Sequence, residues 1–224
     1  SSATTAMGSS VSSQPRMEKH PGRSITRATS SRGMTRVASA SRGRTSMVRR
    51  GSGMASYSFA PGNKVVFNTF DKPYEAVIMN DCSQCPIHPQ LKDLFHEFAK
   101  KHSDAAAKRG AQPILFMTWA YQDMPEMTAQ LAEQYTIAGN ANNALVIPAG
   151  LAFARSVAKS PGLNLYNADK RHPTLAGSYL GAATIYAAVY GKSPAALKYR
   201  AELDETTAAF LKEVAWEAVR DYYK

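Results

Sequence analysis

Short apolar runs alternate with amphipathic stretches along the chain from Tyr57 onward. Continuous apolar runs predict buried strands, and apolar residues at helical spacing predict helices. We expect buried strands at 74–80, 113–119 and 144–148. We expect helices at 90–109, 125–138, 151–158 and 204–223, and a further Ala-rich helix soon after Pro173.

This alternation of strands and helices predicts an α/β fold, in which a mostly parallel sheet is covered by helices on both faces. In such sheets, functional groups collect beyond the carboxyl ends of the strands. Asn80–Asp81 and Thr118–Trp119 each end a predicted strand, and Asp169–His172 precedes a helix. We therefore expect these three segments to lie along one edge of the sheet.

Composition divides the chain at residue 56. Residues 1–56 hold nine Arg and one Lys against a single acid, Glu18, and contain no Leu, Phe, Tyr or Trp. Such a segment buries too little apolar surface to offset its ordering entropy, so we expect a disordered basic extension. Residues 57–224 carry a net charge of only +1 and have the length of one ordinary domain. No apolar run approaches the ~18–20 residues that cross a bilayer.

The basic extension has three interpretations. It is a flexible tail, a cleaved organelle-targeting peptide of the Arg- and Ser-rich type, or an arm that binds nucleic acid. The absence of aromatic residues that could stack on bases argues against the nucleic-acid arm. The sequence does not indicate a cellular location.

Asp169 lies three residues before His172 in a polar segment that precedes the Ala-rich helix. Histidine is the side chain that most readily takes and returns a proton near neutral pH. A carboxylate on its other ring nitrogen fixes the tautomer and stabilises the imidazolium. The pair therefore has the composition of the base half of a Ser-His-Asp hydrolase. Because the four-residue spacing alone is common by chance, the longer context has to decide.

The longer context is a set of strings that occur in order along the chain. They are Val77-Ile-Met-Asn-Asp-Cys-Ser-Gln-Cys-Pro86, Leu115-Phe-Met-Thr-Trp119, Leu165-Tyr166, Asp169, His172-Pro173, Ala176-Gly-Ser-Tyr-Leu180 and Phe210-Leu-Lys-Glu-Val-Ala-Trp216. Together they resemble the SGNH (GDSL-type) hydrolase superfamily, most strongly a bacterial branch that carries a Met-Thr-Trp strand and a His-Pro-x-x-Ala-Gly-Ser-Tyr turn. The resemblance covers roughly residues 74–220 and implies a three-layer, flavodoxin-like fold and an esterase-type acyl transfer.

The resemblance also implies a nucleophilic serine in a Gly-Asp/Asn-Ser motif near the start of the domain, followed by an oxyanion-hole glycine. The comparable string is Gly8-Ser9-Ser10, which makes Ser10 the candidate nucleophile, and Gly33 falls where the glycine is expected. The chain departs from the pattern at Ser9, where Asp or Asn is expected, and residues 1–7 lack an apolar run for a first strand. In a Ser-rich segment such a string also arises by chance, so both interpretations of Ser10 stay open.

Asn80 has two interpretations as well. Its amide could donate to an oxyanion, since the matching branch often has Gln at this position, or it is a turn residue after a strand. We expect Asp81 to be a turn residue at the substrate pocket rather than a catalytic acid. Trp119 ends a strand at the predicted functional edge, so it lines the pocket or belongs to the core.

Cys82 and Cys85 form a C-x-x-C pair after the first of these strands. One such pair lacks the four ligands of a structural zinc site, and His88 alone does not complete the set. Thioredoxin-like chemistry would require the pair at a helix start in a different setting. We interpret the pair as incidental thiols or as a local disulfide, and we expect neither a metal nor an organic cofactor.

These observations predict a serine hydrolase that cleaves a small-molecule carboxylic ester through an acyl-enzyme. His172 would be the general base and then acid, Asp169 its orienting partner, and Ser10 the nucleophile; Asn80 and Gly33 would be the oxyanion donors. The alternative is a non-catalytic domain of the same fold that has lost its nucleophile segment. A third hypothesis, a nucleic-acid-binding accessory protein, would depend on residues 1–56 alone.

Overall fold

The computed structural model describes residues 57–61, 64–67 and 74–224. Two short strands, β1 (Tyr57–Ala60) and β2 (Lys64–Phe67), form an antiparallel hairpin. The hairpin belongs to a different compact unit from residues 74–224. The predicted division at residue 56 stays a prediction, because the residues before it lie outside the described part of the chain.

Residues 74–224 form a parallel three-stranded sheet with five α-helices, so the expected α/β class is confirmed. The strand order is β3-β4-β5, with Ile78 paired to Ile114 and Leu115 to Val146. The strands are β3 (Ala76–Met79), β4 (Gln112–Phe116) and β5 (Leu145–Ile147). The helices are α1 (Lys92–Lys108), α2 (Met127–Ala141), α3 (Ala149–Lys159), α4 (Leu175–Tyr190) and α5 (Glu205–Tyr222).

Helices cover both faces of the sheet because adjacent strand residues point in opposite directions. On one face, Leu115 and Val146 pack against α1 and α2, the helices that connect the strands. On the other face, Ile114 and Ile147 pack against the last two helices, with Ala187 of α4 among their contacts. The apolar runs of β4 and β5 reflect this burial on two sides. The expectation of a buried strand at 74–80 was wrong in its burial: β3 lies at the edge of the sheet, and Ile78 is 46% exposed.

The outer edge of β5 is closed by a side chain from the end of the chain. The Tyr223 hydroxyl accepts a hydrogen bond of 3.0 Å from the Val146 N–H and donates to the Val146 carbonyl. Burial raises the pKa of Tyr223 well above its usual value, so the hydroxyl keeps its proton. Satisfying the exposed backbone groups of an edge strand in this way prevents it from pairing with another chain.

Strand β4 ends earlier than its apolar run predicts. The backbone N–H of Met117 still bonds to the Ile147 carbonyl, but the Met117 carbonyl accepts from Gly150 at the start of α3. A Cβ at Gly150 would lie 2.3 Å from the Thr118 carbonyl oxygen. The close approach of α3 therefore takes the chain out of the sheet and directs Thr118 and Trp119 toward the carboxyl edge.

Within the described residues, no helix is long and apolar enough to cross a membrane.

Candidate active site

Asp169 and His172 are joined by a hydrogen bond between side chains. Asp169 Oδ2 lies 2.5 Å from His172 Nδ1, while Oδ1 accepts from the backbone N–H groups of Arg171 and His172, each at 2.9 Å. One carboxylate oxygen therefore shapes the turn and the other orients the imidazole. The three-residue spacing makes this possible, because the turn that begins at Asp169 brings residues 171 and 172 back to its carboxylate.

The same contacts determine the charge of the carboxyl group. The hydrogen bond from His172, together with the N–H groups of Arg171 and His172, holds the pKa of Asp169 well below its usual range. The side chains are largely open to solvent, with 77% of His172 and 46% of Asp169 exposed. Water screens the pair at this exposure, so its role in positioning outweighs its contribution to stability.

A small closed loop presents the pair. Asn167 donates from its backbone N–H to the His172 carbonyl at 2.8 Å and from its side-chain amide to the Pro173 carbonyl at 3.1 Å. Lys170, at the tip of the loop, has a φ of +61°. A side chain other than glycine in this left-handed region is uncommon, and here the surrounding hydrogen bonds hold it.

The segment after β4 anchors this loop. The indole N–H of Trp119 donates to the Arg171 carbonyl at 2.9 Å, and the Gln122 N–H donates to the Lys170 carbonyl at 3.0 Å. The Arg171 guanidinium lies over the Tyr121 ring, 4.5 Å from its centroid. Two of the three predicted edge segments, at Trp119 and at the Asp169–His172 turn, therefore meet.

Trp119 also packs against the core. Its ring stacks on Phe153 at 4.3 Å between centroids and contacts Phe116 edge-on. It is thus a half-buried packing residue whose polar edge holds the loop of His172. This second role was not predictable from sequence, because no local pattern indicates a hydrogen bond across 52 residues.

On the other side of the loop, Thr174 begins α4. Its Oγ1 accepts from the Gly177 N–H at 3.3 Å and donates to the Asn164 carbonyl at 2.8 Å. A Cβ at Gly177 would lie 2.5 Å from the Leu165 carbonyl oxygen. The first turn of α4 therefore packs closely against the extended segment at Leu165 that leads into the loop. A threonine directly before a helical pattern is a capping signal that could have located this boundary.

The third predicted segment, Asn80–Asp81, lies at the end of β3. Asn80 is exposed, and its amide donates to the Asp81 carbonyl at 3.3 Å. The Tyr135 hydroxyl lies close to the Asp81 backbone and to Thr118, so it is near the residues that follow both β3 and β4. Within residues 74–224, no hydrogen bond joins Asn80 or Asp81 to Asp169 or His172.

Cys82 and Cys85 form a disulfide, with their Cα atoms 5.2 Å apart. The ligand atoms of Asp81, Cys82 and Cys85 all lie within 4.8 Å of one another. Two sulfurs bonded to each other are not thiolates, however, so the oxidised pair offers no zinc ligands. Of the two interpretations made from sequence, the structure has the local disulfide.

A cavity of about 380 Å³ opens beside the loop that carries the disulfide, between β3 and α1. Its walls are mostly apolar, and neither Trp119 nor His172 is among its lining residues. Tyr135 lines the cavity, is fully buried, and its hydroxyl makes no hydrogen bond of good geometry with the described residues. Burial raises the pKa of Tyr135 to about 12, so the hydroxyl is a neutral donor. The remaining lining residues are Met79, Asn80, Asp81, Cys85, Leu91, Leu94, Phe95, Phe98, Ala99, His102 and Leu115.

Ser10 and Gly33, the candidate nucleophile and oxyanion glycine, lie outside the described residues. Their proposed relation to His172 remains a prediction.

No protein-family model matches the chain, and no curated protein matches it. Among solved structures, the chain is similar to a DUF4886 family protein from Bacteroides uniformis, with a TM-score of 0.60 and 18% sequence identity. The match covers 69% of this chain and 65% of that one, so it spans less than two thirds of the length of the solved protein. At this identity the similarity concerns the fold alone, and it agrees with the α/β architecture.

Proposed function

We propose that this chain is a serine hydrolase of the SGNH type that cleaves a carboxylic ester through an acyl-enzyme. The observation that carries the proposal is the 2.5 Å contact between Asp169 Oδ2 and His172 Nδ1. With Nδ1 engaged by a carboxylate, Nε2 of a neutral imidazole is the nitrogen available to accept a proton. The exposure of His172 leaves room for an ester and an attacking hydroxyl.

In the first half of the reaction, Ser10 Oγ attacks the ester carbonyl as His172 Nε2 takes its proton. The imidazolium then protonates the leaving alcohol, which yields the acyl-enzyme. In the second half, water attacks the acyl carbon as His172 Nε2 takes its proton. The bond to Ser10 Oγ then breaks, and the imidazolium returns the proton to Oγ as the acid is released. Asp169 keeps its negative charge throughout and stabilises the imidazolium, in keeping with its lowered pKa.

The oxyanion that forms in each half requires hydrogen-bond donors aimed at it. We assign this role to the Asn80 side-chain amide and to the backbone N–H of Gly33. Asn80 is exposed at the carboxyl end of β3, the edge at which an α/β sheet carries its functional groups. Asp81 and Trp119 would flank the substrate from the ends of β3 and β4.

The full SGNH architecture is part of the proposal. A parallel sheet covered by helices on both faces, with the Asp169–His172 loop directly before α4, agrees with the three-layer, flavodoxin-like arrangement. The family strings at 77–86 and 115–119 continue past the carboxyl ends of β3 and β4, and the string at 165–180 contains the loop that Trp119 anchors.

The alternative is a non-catalytic domain of the same fold. Within residues 74–224, no serine hydroxyl makes a hydrogen bond to His172. If Ser10 does not reach Nε2, the pair has no nucleophile to activate. The two hypotheses therefore differ on one measurable property, the reactivity of a serine.

The test combines a fluorophosphonate probe with hydrolysis of p-nitrophenyl butyrate. We expect stoichiometric labelling that maps to Ser10 and is lost in Ser10→Ala. Turnover should fall roughly a thousandfold or more in His172→Ala and at least about a hundredfold in Asp169→Asn. Asp104→Asn, the same substitution at an exposed residue of α1, is the matched control and should retain full activity.

Slow ester cleavage without labelling would be assigned to an exposed imidazole and would favour the non-catalytic domain. Labelling at a different serine would keep the hydrolase and reject Ser10. Unchanged turnover in folded His172→Ala would reject the mechanism, and a thermal melt of each variant separates that outcome from unfolding.

A further inference from the structure

The Cys82–Cys85 disulfide is a reactive group in residues 74–224 that the proposed hydrolase does not use. It lies in the loop between β3 and the short 3₁₀ helix Cys85–Ile87. Cys82 is exposed, whereas Cys85 is half-buried and contributes to the wall of the cavity beside α1. The two sulfurs therefore differ in their access to a reagent from solution.

A local hydrogen bond also distinguishes the two sulfurs and again favours Cys82. The backbone N–H of Cys85 points at Cys82 Sγ, with a distance of 3.0 Å. A donor at this position stabilises negative charge on that sulfur when the disulfide opens. The same Cys85 N–H also donates to the Cys82 carbonyl at 3.3 Å, and this backbone bond holds the donor in place.

The Asp81 carboxylate, which faces the pair, has the opposite effect and disfavours a thiolate. A carboxylate oxygen of Asp81 lies within 4.8 Å of both sulfurs, and Oδ1 accepts from the Cys82 N–H at 2.8 Å. Its negative charge makes a thiolate less favourable and repels anionic thiols. Removing that charge without changing the shape of the side chain should therefore accelerate the chemistry of the pair.

We propose that Cys82 and Cys85 form a redox-active site that exchanges with small-molecule thiols, with Cys82 as the sulfur that is attacked and Cys85 as the leaving and resolving sulfur. The pair is closed by a loop of two residues at the protein surface, so that opening it requires only local movement. The class of co-substrate is a soluble thiol and its disulfide, such as glutathione.

In the reductive direction, a thiolate RS⁻ attacks Cys82 Sγ. The sulfur–sulfur bond breaks, its electron pair goes to Cys85 Sγ, and that sulfur takes a proton from water. A second RS⁻ attacks the R sulfur of the mixed disulfide, which gives RSSR and releases Cys82 as a thiolate beside the Cys85 N–H. When that thiolate takes a proton from water, the protein has gained two electrons and two protons from two RSH, and the reverse sequence reduces RSSR.

The test equilibrates the 224-residue protein, without denaturant, in buffers of defined glutathione to glutathione disulfide ratio. Acid quenching, alkylation and mass spectrometry then report the reduced fraction. We expect one reversible two-electron transition within the accessible glutathione range. Cys85→Ser should accumulate a glutathione adduct on Cys82 at least about tenfold faster than Cys82→Ser accumulates one on Cys85, because access and the N–H donor both favour Cys82.

Asp81→Asn supplies a second readout, the rate of adduct formation on Cys82. A merely structural role of the disulfide would not predict a change in this rate. The adduct on Cys82 should form severalfold faster in Asp81→Asn/Cys85→Ser than in Cys85→Ser alone. A pair that stays oxidised in excess dithiothreitol and is reduced only in urea would overturn the proposal. Equal adduct rates in the two single-cysteine variants would also overturn it, because the roles assigned to the two sulfurs would then be wrong.

Discussion

The indole N–H of Trp119 donates a hydrogen bond to the backbone carbonyl of Arg171 at 2.9 Å. Arg171 lies between the two members of the acid–base pair, so this bond fixes the loop of Asp169 and His172 to the end of β4. The rest of the indole is stacked on Phe153, which fixes the ring from the other side. The orientation of His172 therefore depends on a residue that forms no hydrogen bond with it.

Trp119→Phe separates the two roles of Trp119, because phenylalanine keeps an aromatic ring on Phe153 but has no N–H. We expect the free energy of unfolding to fall by about 1 kcal/mol for the lost bond, plus the smaller ring's packing loss. Amide exchange at Lys170–His172 should accelerate more than in the core. Trp216→Phe is the matched control, since the Trp216 indole makes no hydrogen bond with the described residues. Equal exchange at the loop in both variants would contradict the anchoring role.

Gly177→Ala tests how closely α4 is packed against the loop. The new Cβ would meet the Leu165 carbonyl oxygen at 2.5 Å, and a backbone atom cannot move aside cheaply. We expect a net destabilisation of about 1–3 kcal/mol, although alanine is the better helix former. In Gly181→Ala, in the same helix, the Cβ lies 3.9 Å from Phe116, so we expect a gain of up to about 1 kcal/mol. Opposite signs in urea unfolding would support the packing model, and equal signs would contradict it.

Long periodic elements were predictable from sequence, because burial on two faces leaves a strong local pattern. The strand expected at 113–119 is found, shorter, at Gln112–Phe116, and the helix expected at 204–223 is found at Glu205–Tyr222. The orientation of His172 by Asp169 was equally accessible, since the two residues lie within one turn.

Contacts that join distant parts of the chain were not predictable. The bond from Trp119 to Arg171 and the closure of β5 by Tyr223 depend on how separate elements pack. The left-handed backbone of Lys170 was also missed, because lysine carries no signal for that conformation and tertiary bonds enforce it. The Asp169–His172 pair was therefore predictable from sequence, whereas the contacts that hold its loop were not.

Tyr223→Phe removes the hydroxyl that satisfies both backbone groups of Val146. Because those groups lie at the edge of a sheet, their loss of a partner should cost about 1–3 kcal/mol of unfolding free energy. Tyr190→Phe, at an exposed tyrosine, is the control and should change the unfolding free energy by less than about 0.5 kcal/mol. A Tyr223→Phe protein as stable as the control would show that water replaces the hydroxyl at no cost.

Asp169 makes the stability of the folded protein depend on pH. Its folded-state pKa lies well below the unfolded value of about 3.9, so the contribution of the carboxylate to stability is present above pH ~4. It is lost as the pH falls through the folded-state pKa, because the folded state must then give up the hydrogen bonds to His172 and to the loop. Asp169→Asn should therefore be less stable than the wild type between pH 5 and 7, and the difference in unfolding free energy should shrink progressively below about pH 4. Urea unfolding of both proteins across that range measures the difference directly, with Asp104→Asn as the exposed-site control. A difference that stays constant down to the lowest accessible pH would show that the carboxylate charge does not hold the loop, and that His172 is oriented by the backbone alone.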